Sequence, residues 1–246
     1  MITVYIGFDP REVAAFMVAA GSIRRHLSAL EDIKAIVLQD LQTKGVYKRP
    51  TVYKDNLLHD VISNHPMSTE FAVSRFLVPY LNNFEGHALF VDCDVMALEV
   101  LDGLLGYIGK GYAVSVVKHK YDVDSAVKMD GQKQSSYYRK NWSSVCFWDC
   151  GHPANRVLTP EYVNSKRGAD LHRFCWLDDQ HIGELPPTYN HLVGVTKAEA
   201  PPKLVHFTNG IPHMKGYHDC EFADLWRSEL SKLIPGFLRV IGTLPA

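Results

Sequence analysis

HALFVDCDVMALEV, residues 87–100, reads as an apolar strand that stops on two carboxylates one residue apart, after which an apolar run resumes. In an extended chain, residues two apart point to the same face. Asp92 and Asp94 can therefore present their oxygens together. Oxygen ligands suit hard divalent cations such as Mg²⁺ and Mn²⁺. In open α/β sheets, ligands gather beyond the carboxyl ends of the strands, where this pair falls. The plainer reading is two surface aspartates in a strand-to-helix turn, one of them capping the next helix. The strength of the preceding strand and the apolar residue after the pair favour the metal.

The chain upstream supports an α/β architecture. ITVYIGF (residues 2–8) is short, β-branched and aromatic, as a buried strand is. Asp9 then stands like an N-cap and Pro10 like a first helical residue, ahead of a stretch with helical spacing from residue 11 to 30. IKAIVL (33–38) is a second strand, and the strand–helix–strand order predicts a parallel sheet of nucleotide-binding topology. Residues 39–66 show no clear period. STEFAVSRFLVPYLNNF (68–84) predicts a helix leading into the carboxylate strand. Downstream, VLDGLLGYIG and LDDQHIGEL are expected as short helices, YAVSVV (112–117), SSVCFWD and KLVHF as strands, and DCEFADLWRSELSKLI as a terminal helix. Residues 118–140 are polar, irregular and rich in Lys, Asp, Gln, Ser and Tyr; a loop of that length in a compact domain is more often functional than idle. With no repeat and no linker, residues 1–246 are expected to form a single domain.

Bulk properties narrow the function. Lys plus Arg is 26 and Asp plus Glu is 27, which argues against nucleic acid as the main partner. The five cysteines are scattered, odd in number and without a CxxC pair, the pattern of reduced thiols in a cytoplasmic setting. The first residues lack the cationic and long apolar regions of a signal peptide, and no run of about 18 apolar residues predicts a transmembrane helix. A peripheral membrane contact stays open.

A strand ending in DxD also occurs in haloacid-dehalogenase-like phosphatases, where the first Asp is a nucleophile. There the motif usually opens the domain, whereas here two strands and two helices come first. LDDQ is also a poor match to the acidic motif that such a phosphatase needs late in the chain.

Several segments, in order and over nearly the whole chain, resemble the GT-A glycosyltransferases, and within them glycosyltransferase family 8 and its relatives. VYIGFDPREVAAF resembles the opening strand and turn that receive the nucleoside, which implies that Gly7, Phe8 and Asp9 line the base and ribose site; Asp9 as a helix cap is the simpler alternative. AVSRFLVPYL resembles the helix whose Arg points toward the donor, making Arg75 a candidate. LFVDCDVMAL resembles the metal motif, with Cys93 between the carboxylates and also a candidate for donor contact. NWSSVCFWDC lies where the family carries a strand whose start touches the donor sugar, implicating Ser143 and Ser144, although a core strand built around Trp148 would read the same way. WLDDQHIGEL resembles the Asp-Gln pair on the acceptor side of the donor sugar, which implies catalytic roles for Asp179 and Gln180; Asp178 would cap that helix. KLVHFTNGIPHMKGY is similar to the late segment whose His completes the metal shell, which implies His206 as a ligand beside Asp92 and Asp94, and Lys215 on the diphosphate. The spacing after His206 departs from the family pattern, leaving His213 and His218 as substitutes.

The resemblance implies a GT-A-like, Rossmann-type mixed sheet flanked by helices, with a nucleotide- and metal-binding half (1–117) and a half for flap, sugar and acceptor (118–246). It further implies Mn²⁺ or Mg²⁺ as cofactor, a nucleotide-sugar donor (UDP-sugar first), a glycan or small hydroxyl acceptor, and retention of anomeric configuration. A non-catalytic nucleotide-sugar-binding module is the other reading.

Overall fold

The computed structural model describes residues 1–54, 57–119, 139 and 141–240, with side chains through residue 233. The chain opens with β1 (Ile2–Gly7), α1 (Val13–His26), β2 (Leu30–Ile36) and α2 (Leu38–Thr43), followed by three short strands, β3 (Thr51–Lys54), β4 (Leu57–Asp60) and β5 (His65–Pro66). Then come α3 (Val78–Leu81), β6 (His87–Val91), β7 (Val95–Ala97), β8 (Val114–Val116) and β9 (Val145–Asp149). The remainder comprises α4 (Pro160–Ser165), α5 (Gly168–His172), β10 (Ile182–Glu184), β11 (His191–Leu192), β12 (Leu204–His206) and α6 (Ala223–Val240).

Six strands form the central sheet in the order β10-β8-β9-β6-β1-β2. β1 runs parallel to both β2 and β6, and β8 is parallel to β10, while β9 is antiparallel to β6 and β8. The sheet is therefore mixed. The central strands are buried on both faces, which is why β1 and β6 read as unbroken apolar runs. β2, on the edge, carries exposed Glu31, Asp32 and Lys34. A second sheet, β11-β12-β7, packs Met96, Val205 and Phe207 with α1 residues Ala15 and Val18 and with Trp226 of α6. A third, β3-β4-β5, is antiparallel throughout.

The order of elements follows the sequence expectations, with three corrections. The helix expected over residues 68–84 is a run of turns, a single 3₁₀ turn at Ser74–Leu77 and the short α3. Phe71 to Pro79 are all buried, so no polar face exists for an amphipathic helix to turn outward. Pro79 is compatible only with the first turn of a new helix. Secondly, LDDQHIGEL is one 3₁₀ turn at Asp179–His181 that runs directly into β10. Thirdly, α1 begins at Val13 with Glu12 as its N-cap residue. Asp9 and Pro10 belong instead to a preceding turn, closed by the Glu12 N–H donating to the Asp9 carbonyl at 2.9 Å. Pro at the second turn position and Asp at the first are the residues such a turn favours. The loop expectation for 118–140 falls almost wholly outside the described residues.

Candidate metal and donor site

β1 and β6 are neighbours, but β1 connects through α1 to β2 on its other side, so the strand order reverses between β1 and β6. The carboxyl ends of these two strands form the switch point at which open α/β sheets bind ligands. β6 delivers Asp92 there. The Asp92 N–H donates to the Ser144 carbonyl at 2.9 Å, fixing the first carboxylate to the residue just before β9. Two residues on, the Asp94 carbonyl accepts from the Phe207 N–H at 2.9 Å. β7 then pairs antiparallel with β12, with Val95 opposite His206. This pairing sets the His206 Nε2 3.2 Å from Asp94 Oδ1, although the two lie far apart in sequence. Asp92, Asp94 and His206 offer ligand atoms that all lie within 4.8 Å of one another.

The tautomer of His206 follows from its neighbours. The Ser144 hydroxyl donates to the Asn141 carbonyl at 2.8 Å, so it can only accept from Asn190 Nδ2, at 2.9 Å. Asn190 Oδ1 must then accept from His206 Nδ1 at 3.0 Å. The Nε2 lone pair is left facing the Asp94 carboxylate. Two lone pairs at that distance repel unless a proton or a cation lies between them. Burial alone would lower the His206 pKa, but the carboxylates of Asp94 and Asp92 raise it above the ordinary value. Two carboxylates and an imidazole whose far nitrogen is tied down form a donor set that fits a divalent cation.

Arg75 stands behind the first carboxylate. Its guanidinium lies 5.1 Å from the ring centres of both Phe71 and Phe90, a cation–π arrangement that holds it in the core. Nη1 donates to Asp92 Oδ1 at 2.6 Å and to the Ser143 carbonyl at 3.0 Å. Nε is buried without a hydrogen-bond partner among the described residues. Ser143 is oriented in turn by His172, whose Nδ1 is 2.7 Å from the Ser143 hydroxyl. Burial, and then the charge of Arg75, lower the His172 pKa to about 3, so this imidazole is neutral.

The other sequence candidates divide sharply. Gly7 is required by packing, because a Cβ there would sit 2.3 Å from the Phe71 ring. Phe8 packs edge-on against Phe16 with centroids 5.4 Å apart. Asp9 is fully buried and committed: Oδ1 accepts from the Arg11 N–H at 3.0 Å and Nε at 2.8 Å, and Oδ2 from Arg11 Nη2 at 2.6 Å and the Glu70 N–H at 3.1 Å. Burial would raise its pKa, but these bonds to Arg11 and Glu70 bring it below the ordinary value. Cys93 is buried, and its thiol donates to Glu12 Oε2 at 3.1 Å. Asp179 and Gln180 are exposed; Asp179 pairs with Arg139, which links it to the segment leading into Ser143 and Ser144. Lys215 is exposed in the loop after β12. His213 packs against Trp226, and His218 bonds the Pro212 carbonyl at 3.1 Å. Neither belongs to the ligand cluster.

Sequence reading missed two residues here, Asn190 and Glu12. Asn190 had no local signal, since a buried Asn between a 3₁₀ turn at Pro187–Tyr189 and a two-residue strand has no rule attached to it. Glu12 had only a misleading one: Asp-x-x-Glu ahead of an apolar run reads as a capping pair, whereas Glu12 itself takes the N-cap position and makes no capping bond.

No protein-family model matches the chain. Protein CDI of Arabidopsis thaliana is 41% identical over 234 residues, covering 93% of this chain and 86% of that protein. Among solved structures, the apo WbbM bifunctional glycosyltransferase superposes with a TM-score of 0.62 at 12% identity, over 94% of this chain and 49% of that one. The galactosyltransferase LgtC, in complex with donor and acceptor sugar analogues, gives 0.59 at 12% identity over 99% and 100%. GlyE of Streptococcus pneumoniae TIGR4 gives 0.56 at 14% identity over 100% and 66%. The chain thus spans about half of WbbM, just under two-thirds of GlyE and all of LgtC. At these identities the likeness is one of fold, and the fold is GT-A. No helix among the described residues is long and apolar enough to cross a membrane.

Proposed function

As the chain belongs to the family of the Arabidopsis Protein CDI and has the GT-A fold, we propose that it is a metal-dependent glycosyltransferase. It moves a sugar from a nucleoside diphosphate sugar, a UDP-sugar first among them, to a hydroxyl of a glycan or small acceptor, with retention. The observation that carries this reading is the Asp92–Asp94–His206 cluster at the switch point of the sheet. Asp92, Asp94 and His206 would hold the cation, and the imidazole favours Mn²⁺ over Mg²⁺. A bound divalent cation supplies positive charge to the leaving diphosphate.

The chain's own residues do the rest. Arg75 holds Asp92 in place, through a charge-assisted hydrogen bond in a largely buried setting. Asn190 holds His206 with its lone pair outward. Ser143 and Ser144, just before β9, hold Arg75 and Asp92 through their backbone carbonyls, and in this reading they line the sugar side of the donor. Asp179 and Gln180 act on the acceptor side of that sugar, and Lys215 reaches the diphosphate as the loop after β12 settles on the donor. The metal shell draws Asp92 and Asp94 from the 1–117 half and His206 from the 118–246 half. Five free thiols suit a reducing, cytoplasmic compartment.

The test is thermal stabilisation by UDP, GDP and ADP, with and without Mn²⁺, followed by release of nucleoside diphosphate from the matching sugar donors. Metal-dependent stabilisation with turnover is expected. Stabilisation without turnover in the presence of any acceptor would favour the binding module, and the absence of both would overturn the proposal.

A further inference from the structure

The carboxylate that the sequence places at the nucleoside, Asp9, has no capacity left. Its two oxygens already accept four hydrogen bonds, three from Arg11 and one from the Glu70 N–H, and none of the residue is exposed. The same turn delivers a second carboxylate three residues later. Glu12 is the N-cap residue of α1, yet its side chain makes no capping bond. It reaches instead across the switch point to the β6 end, where Oε2 accepts the Cys93 thiol at 3.1 Å. Oε1 has no hydrogen-bond partner among the described residues. Glu12 is half-buried and stands outside the metal-ligand cluster.

We propose that Glu12, and not Asp9, is the acceptor for the ribose hydroxyls of the donor. This rests on the glycosyltransferase reading above. The covalent order of a nucleoside diphosphate fixes the geometry: diphosphate, ribose, base. The diphosphate lies on the cation at Asp92, Asp94 and His206, at the end of β6. On the proposed reading the base takes the other strand end at the switch point, that of β1, next to Phe8. The ribose falls between them, and the carboxylate between those two strand ends is Glu12, anchored by the residue that separates the two metal carboxylates. A carboxylate with one oxygen anchored and one open suits a diol, whose hydroxyls are donors. Cys93 is thus a positioning residue: its buried thiol holds Glu12 rather than touching the donor.

The experiment compares UDP with 2′,3′-dideoxy-UDP by calorimetry at saturating Mn²⁺; if UDP itself does not bind, the pair is built on whichever of GDP and ADP does. The parent protein is expected to bind the ribo form at least tenfold tighter. In Glu12→Ala and Glu12→Gln that preference should shrink to threefold or less, because affinity for the ribo form falls while that for the dideoxy form stays. Asp9→Asn, whatever it does to stability, should keep the preference in its folded fraction. An undiminished ribo preference in both Glu12 variants overturns this assignment and leaves the proposed function standing. A parent protein that binds no nucleoside diphosphate overturns both.

Discussion

His206 Nδ1 and Asn190 Oδ1 lie 3.0 Å apart, both buried, and that contact decides which imidazole nitrogen faces Asp94. An outer partner of this kind typically accounts for about 10- to 100-fold in metal affinity. Asn190→Ala is therefore expected to weaken Mn²⁺ binding by about that factor, with the three ligands still in place. Calorimetric titration of the folded variant measures it; an affinity equal to the parent's would show that the tautomer is set elsewhere.

The acid–base behaviour of the metal-free protein has two limbs. Burial, and then the neighbouring charge of Asp94, raise the Glu12 carboxyl to about 7, and His206 is raised as well. A raised folded-state value contributes stability that is lost as pH climbs through it. Burial lowers His119 to about 4 and His172 to about 3, helped by His206 beside the first and Arg75 beside the second. Those two stabilise above the ordinary value of 6.5 and lose that contribution as pH falls below it. Thermal denaturation in EDTA should thus peak near pH 6.5 and decline on either side. Saturating Mn²⁺ should flatten the alkaline limb, because the cation replaces the proton on His206. A metal-free melting temperature still rising between pH 7 and 8 would contradict the assignment.

Arg49 and Asp60 form a buried pair, Nε to Oδ1 at 2.9 Å, and Arg49 Nη1 also donates to the carbonyls of Val163 and Lys166 at 2.8 and 2.6 Å. It ties the β3–β4 hairpin to α4. Removing one partner of such a pair costs about 3–5 kcal/mol. Arg49→Met should show that loss in urea denaturation while Mn²⁺ affinity is unchanged, and adding Asp60→Leu should restore most of it.

Gly7→Ala drives a methyl group into the Phe71 ring. Overpacking of this kind costs about 1–3 kcal/mol. Because that ring also flanks the Arg75 guanidinium, the variant should lose nucleotide affinity as well as stability. Phe71→Leu in the same chain should return part of the stability.

The parts of this site that lie on strands were legible. β1 and β6 are buried on both faces, so their apolar runs could hardly be misread, and the abrupt carboxylates at Asp92 and Asp94 marked the end of one of them. His206 follows instead from the likeness of KLVHFTNGIPHMKGY to the late segment of glycosyltransferase family 8, because a His at a strand end carries no such signal by itself. What failed was side-chain allegiance. Asp9 satisfies its own turn, and Cys93 faces inward. Residues 68–84 carry enough apolar residues for a helix, but burial on every side and Pro79 break it. Asn190 meets His206 only through the pairing of β11 with β12, a contact that no sequence period encodes.

The β7–β12 pairing also has a temporal consequence. During synthesis, β1, β6 and β9 can assemble once Asp149 has emerged, so Asp92 and Asp94 are in place well before His206 exists to join them. Arg75, emerging earlier, is the counter-charge that tides Asp92 over. Asp94 meets its imidazole only when β12 arrives and docks beside β7. The chain thus completes its central sheet first and the Asp92–Asp94–His206 cluster late.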